Sequence, residues 1–274
     1  MITFNMLRNL LHKYATIVGI YWQRGLTYRF TIAAYRVGEV MESLILIFMW
    51  TRLYDGQTTI RGFTLPEMIT YVLIGNLTNG IVRNFLSDRI ARDIRDGSLS
   101  AFLVRPLSYF ENIAVSSLGS IAVTSSFSTI SQLLVLSFFH QYLVAPVNMT
   151  AVVIVIAMLF FAFVNEILIN YLIGLIAFWT DEIDGVYATI NQLKKFFSGG
   201  YFPLSLLPTT LAQISYALPF AYTFAIPAQM YLGKLPLSFG LHGLIVQACW
   251  IVALAFIIRI VWRRGMKRYE ATGI

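Results

Sequence analysis

Apolar positions in this chain come in long runs, and the polar residues between the runs mark where elements begin and end. Runs near 20 residues match a hydrocarbon layer about 30 Å thick at about 1.5 Å rise per residue. They predict membrane-crossing helices, since the strands of a barrel would alternate apolar and polar positions instead. Near the start, Leu7, Leu10, Leu11, Tyr14, Ile17, Val18 and Tyr21 recur at three- and four-residue steps, opposite Arg8, Lys13 and Gln23. That periodicity predicts an amphipathic helix lying in the membrane interface within residues 1–35. A first span is expected over 37–54, then the polar loop DGQTTIRGFT, and Pro66 opens a second span that continues to about residue 85.

The stretch 87–108 carries Asp88, Arg89, Arg92, Asp93, Arg95, Asp96 and Arg105 and cannot lie in hydrocarbon. A third span is expected over 109–139 and a fourth over 149–179, both long enough to tilt or project. After the acidic turn TDEID, a fifth span is expected over 185–206, and a sixth runs from residue 237 to Arg259, Arg263 and Arg264. The segment 207–236 is apolar but carries Pro219 and Pro227 eight residues apart, so short helices that enter the outer leaflet and return are expected there. A seventh, kinked span is the alternative, and it would put the termini on opposite sides. The predicted fold is a single all-α integral membrane domain over 1–274 with six transmembrane helices.

Composition sharpens this picture. The chain is 58% hydrophobic and 12% charged, against about 25% charged in soluble domains, so lipid must solvate much of it. Its formal charge of +7 does not imply nucleic acid, because the basic residues sit at helix ends and form no patch with interleaved aromatics. Lys and Arg concentrate in the amino-terminal segment, in 87–108 and in the tail RRGMKRYEATGI, while the loops around Arg61, Val144 and Lys234 carry few. Positive-inside bias then predicts a multi-pass protein of the plasma (inner) membrane with both termini cytoplasmic. The single Cys249 can build neither a disulfide nor a Cys/His metal site. The first 25 residues lack the uninterrupted apolar centre and cleavage site of a signal peptide and read as mature protein.

Candidate chemistry lies in two places. Ile90 and Ile94 share one face of a short helix that Gly97 would stop after two turns, with Arg92, Asp93 and Arg95 around them. This element reads either as a solvated loop with internal ion pairs or as a docking helix for a cytoplasmic partner. In the second reading Ile90 and Ile94 enter a groove while Arg92, Asp93 and Arg95 set orientation at its rim. The other place is inside the spans, where a charge is costly unless it pairs, snorkels or lines water. Glu39 and Glu42 lie near the start of the first span, close enough to snorkel, and Arg36 can pair with Glu39 at three residues' spacing. Lys194 and Lys195 are either interfacial anchors or residues that line a translocation path or pair with Glu166, and a cation-lined path would favour anionic cargo.

The segment DIRDGSLSAFLVRPLS resembles the part of type-2 ATP-binding-cassette exporter permeases that precedes the third span, and SGGYFPLSLLPTTLAQISYALPFAYTFAIPAQMYLG resembles the family's end of the fifth span and its extracellular re-entrant helices. The order of features agrees along nearly the whole chain. The resemblance implies that the helix holding Ile90, Arg92, Asp93, Ile94, Arg95 and Gly97 is an ATPase-coupling helix and that the amino-terminal interfacial helix is a connecting helix. It further implies a pair of permeases, identical or related, embedded in lipid and carrying two ATPase subunits. The chain has no G-x-x-x-x-G-K-[ST] loop, since Gly199-Gly200 is followed by Tyr-Phe-Pro. It is therefore expected to be no enzyme and to hold no cofactor, with ATP and Mg bound by the partner. The expected function is export of a small hydrophobic, amphipathic or lipid-like compound by alternating access. The alternative is an ATP-independent secondary transporter or channel, which should show ion-coupling carboxylates or inverted repeats.

Overall fold

The computed structural model describes residues 15–16, 18–23, 25–103, 109–180 and 182–269. Much of the predicted interfacial helix over 1–35 lies outside the described residues, as do Arg105, Asp181 and the last residues of the tail. Ten α-helices follow in order from residue 29: α1 Arg29–Leu53, α2 Leu65–Val82, α3 Leu86–Arg95, α4 Leu99–Leu103, α5 Tyr109–Phe138, α6 Met149–Leu175, α7 Asp184–Phe197, α8 Thr209–Ala217, α9 Ala225–Tyr231 and α10 Leu237–Met266. Among the described residues there is no strand. Among the described residues three helices are long and apolar enough to cross a membrane: α5, α6 with the 3-10 turn that prolongs it to Phe178, and α10.

Local sequence explains the helix starts. Thr64 opens α2 with a capping box, its backbone N–H donating to Glu67 Oε2 at 2.8 Å, and Pro66 follows where a missing N–H costs nothing. Asn148 caps α6, its side-chain oxygen accepting from the Thr150 N–H at 2.8 Å. Helix α1 starts at Arg29, earlier than the expected residue 37, because the polar positions before Val37 are compatible with helix even where they are not compatible with lipid.

The core has two parts joined by α6. One gathers Ile47 and Trp50 of α1, Met68 and Tyr71 of α2, Met158 of α6, and Tyr222, Phe224 and Met230. The other gathers Ile90 and Ile94 of α3, Leu99, Ile113, Tyr171 and Leu254. Small residues let α10 approach closely: a Cβ on Gly243 would lie 2.5 Å from the Tyr222 ring, and one on Gly240 would meet the Met230 sulfur at 2.6 Å.

The expected fifth span over 185–206 is not one helix. Helix α7 stops at Phe197 after 14 residues, about 21 Å, short of the hydrocarbon thickness. A Schellman closure ends it, with Gly200 N–H donating to Lys195 O at 3.0 Å, Gly199 N–H to Phe196 O at 3.2 Å, and Gly199 at a φ of 78°. Tertiary contacts fix the stop, because the Tyr71 hydroxyl donates to Gly199 O at 2.7 Å and the Ala225 N–H to Ser198 O at 3.0 Å.

The segment 207–236 is broken at its prolines. Helix α8 leads to a 3-10 turn over Pro219–Thr223, and α9 leads away. Thr78 donates to Thr223 O at 2.9 Å and Trp250 Nε1 to Ala217 O at 2.7 Å. Thr78 and Trp250 each lie 13 residues past the start of their helices, so the turn sits about 20 Å along α2 and α10. Beyond α9 the chain is back at the starting end of α2, where Lys234 pairs with Glu67 at 2.6 Å and donates to Gly62 O at 2.9 Å. The chain therefore turns about 20 Å along α2 and comes back to that helix's starting end.

Candidate functional site

Helix α3 reverses one sequence expectation. Ile90 is fully buried and Ile94 nearly so, and both face the chain's own α6 and the turn after it, not an open groove. A Cβ on Gly174 of α6 would lie 2.6 Å from Ile90 Cβ and 3.0 Å from Ser87 O, so this glycine is what lets α3 seat. The amphipathic pattern of α3 is satisfied inside the molecule, which corrects the assignment of Ile90 and Ile94 to a partner's groove. Arg92, Arg95 and Asp96 face outward, while Asp93 is partly buried and accepts from the Tyr109 hydroxyl at 2.9 Å. Gly97, at a φ of 72°, turns the chain where a side chain would be strained. Burial raises the Asp88 carboxyl above its ordinary range, and Asp184 adds to that against the opposing pull of Arg92 and Arg95.

The second assembly is a polar layer across the helices. Lys194 of α7 forms an ion pair with Glu166 of α6, and Asn170 Nδ2 also donates to that carboxylate, at 2.9 Å. Lys195 pairs with Glu42 of α1 at 2.5 Å and lies 4.6 Å from the centroid of the Tyr201 ring. Arg36 pairs with Glu39 at 2.6 Å, Arg83 approaches the same carboxylate at 3.5 Å, and the Ser128 hydroxyl donates to it at 3.0 Å. Ser43 links this layer to Gln132 at 3.1 Å and accepts from Asn76 at 3.0 Å. Both glutamates of α1 pair within the chain, and Lys194 and Lys195 are each matched by a carboxylate.

The two lysine pairs and Arg83 line a cavity of about 180 Å³ between α1, α2, α6, α7 and the turn at 219–224, together with Asn76, Asn79, Asn165, Phe220 and Phe224 among others. Asn165 is buried and its Oδ1 has no hydrogen-bond partner among the described residues, although its Nδ2 donates to Gln247 O at 3.2 Å. Sequence reasoning singled out Glu166, Lys194 and Lys195, which the structure brings to this cavity, but missed Arg83 and the amides. The available signal was the pair Asn76 and Asn79, three residues apart in an otherwise apolar helix and so on one face.

An all-helical chain with apolar outer faces and ion pairs held inside its helix bundle is an integral membrane protein. The family described as "ABC-2 family transporter protein" matches residues 40–273, and the chain belongs to that family. It is a membrane permease of an ATP-binding-cassette transporter, a class of membrane subunit that works with an ATPase subunit. No curated protein matches the chain.

Proposed function

We propose that this permease exports a small hydrophobic, amphipathic or lipid-like compound by alternating access, driven by two separate ATPase subunits that bind ATP and Mg. In this reading α1, α2, α5, α6, α7 and α10 are the six spans of an inner-membrane protein with cytoplasmic termini. Helices α8 and α9 form the re-entrant pair on the outer side, and α7 is completed by the chain that follows it. On α7 Gln192 is exposed and Asn191 and Lys195 are only partly covered, which suits a route covered by a second permease, identical or related, and not lipid.

The observation that carries the reading is α3: a rigid ten-residue helix clamped to α6 by its apolar face, which offers Arg92, Arg95 and Asp96 outward. A lever needs a fixed root and an accessible tip, and α3 has both. The secondary-transporter alternative draws on the buried Glu166, whose charge Lys194 already balances.

The test is to co-express the ATPase with wild-type permease and with Arg92→Glu. The variant should insert normally, and should lose ATPase copurification and ATP-dependent export. Retention of both would return α3 to a solvated loop. Transport by the isolated chain without hydrolysable ATP would favour the alternative.

A further inference from the structure

The charges of the polar layer do not balance. Four cations, Arg36, Arg83, Lys194 and Lys195, meet three carboxylates, Glu39, Glu42 and Glu166, and each lysine has a carboxylate to itself. Glu39 serves both arginines, closely for Arg36 at 2.6 Å and loosely for Arg83 at 3.5 Å. The surplus positive charge therefore resides at Arg83, which lines the cavity. Asp88 and Asp184 lie in the same half of the molecule, but neither lines the cavity nor forms an ion pair with Arg83. A cation on the cavity wall whose charge is only loosely matched attracts an anionic group that enters the cavity.

The remaining wall chemistry limits what the anion can be attached to. Phe220 and Phe224 supply an apolar side. At about 180 Å³ the cavity is a little larger than the roughly 150 Å³ void known to hold benzene, so one ring with a short acidic arm fits and a long lipid chain does not. We infer that this cavity binds a small amphipathic monoanion, its acid group held by Arg83 and its apolar group against Phe220 and Phe224. That the bound anion is the cargo rests on the permease reading above; the binding itself does not.

The experiment uses the full chain in phosphatidylcholine nanodiscs and three radiolabelled probes of nearly equal shape: phenylacetate, phenylacetamide and phenethylamine. Saturable binding should favour phenylacetate over the amide by about tenfold, with the amine weakest. Arg83→Gln should level acid and amide. Glu39→Gln keeps both guanidiniums while removing their carboxylate, so it should widen the preference, and it decides the matter if Arg83→Gln fails to fold. Equal binding of the three probes, no saturable binding, a preference that survives Arg83→Gln, or one that narrows in Glu39→Gln would overturn the inference. Because no ATPase is present, such a result leaves the copurification test of α3 untouched.

Discussion

The Lys194–Glu166 pair and the Lys195–Glu42 pair differ in their surroundings, and that difference sets what each contributes. Side-chain exposure is 14% and 6% in the first pair but 28% and 39% in the second. Removing one partner of a buried pair strands the other charge, at a cost of about 3–5 kcal/mol, whereas an exposed pair contributes about 0–1 kcal/mol. Lys194→Met should therefore lower the thermal unfolding temperature in detergent markedly, and Lys194→Met/Glu166→Leu should recover most of the loss. Lys195→Met should change it little. Equal effects of the two single lysine variants would show that both pairs are hydrated alike. The sequence offers a pair with Glu166 as one of its readings of the two lysines, because antiparallel neighbours bring those depths together. It does not place Lys195 near Glu42, because that contact joins α7 to α1, helices far apart in the chain.

Helix α3 shows the same limit at the scale of an element. Its i, i+4 isoleucines and its terminal glycine are legible without coordinates, so the existence and length of the helix follow from local pattern. What covers its apolar face is a tertiary fact, and the answer is the chain's own α6, made accessible by Gly174. Gly174→Leu should force α3 off its seat, since overpacking such a contact costs about 1–3 kcal/mol. The expected outcome is faster proteolysis around Arg92 and Arg95 and loss of ATP-dependent export, with membrane insertion retained. Proteolysis at the wild-type rate would mean that α3 does not depend on this contact. Ile94→Asp should behave like Gly174→Leu, because it too attacks the seat, whereas Arg92→Glu should leave proteolysis unchanged. Helix α7 was overextended for a related reason. The run KKFFSGGYFPLSLL is apolar enough to continue a span, and the closure at Gly199 depends on Tyr71 and Ala225, which are distant in sequence.

For the whole molecule, the membrane is legible in composition, but the number of crossings is not settled by apolarity alone. Helix α1 carries Arg36, Glu39 and Glu42 and α2 carries Asn76 and Asn79, and each gives up apolar length for them. Side of exposure provides a test that does not depend on counting apolar residues. Thr59, Ser98 and Arg264 are all exposed, so a cysteine at any of them is reachable. Cys249 is also exposed and must first become Ser. If α1, α2, α5, α6, α7 and α10 cross and the α8–α9 pair turns back, Ser98→Cys and Arg264→Cys should react with an impermeant maleimide only in inside-out vesicles, and Thr59→Cys only in intact cells. Were α8 and α9 together a seventh crossing, Arg264→Cys would label on the side opposite Ser98→Cys. The turn at 219–224, held about 20 Å in by Thr78 and Trp250 and followed by a return to Gly62 and Glu67, argues for the first outcome. Labelling of Ser98→Cys from outside in an export-competent protein would invert the orientation and remove α3 from any cytoplasmic ATPase.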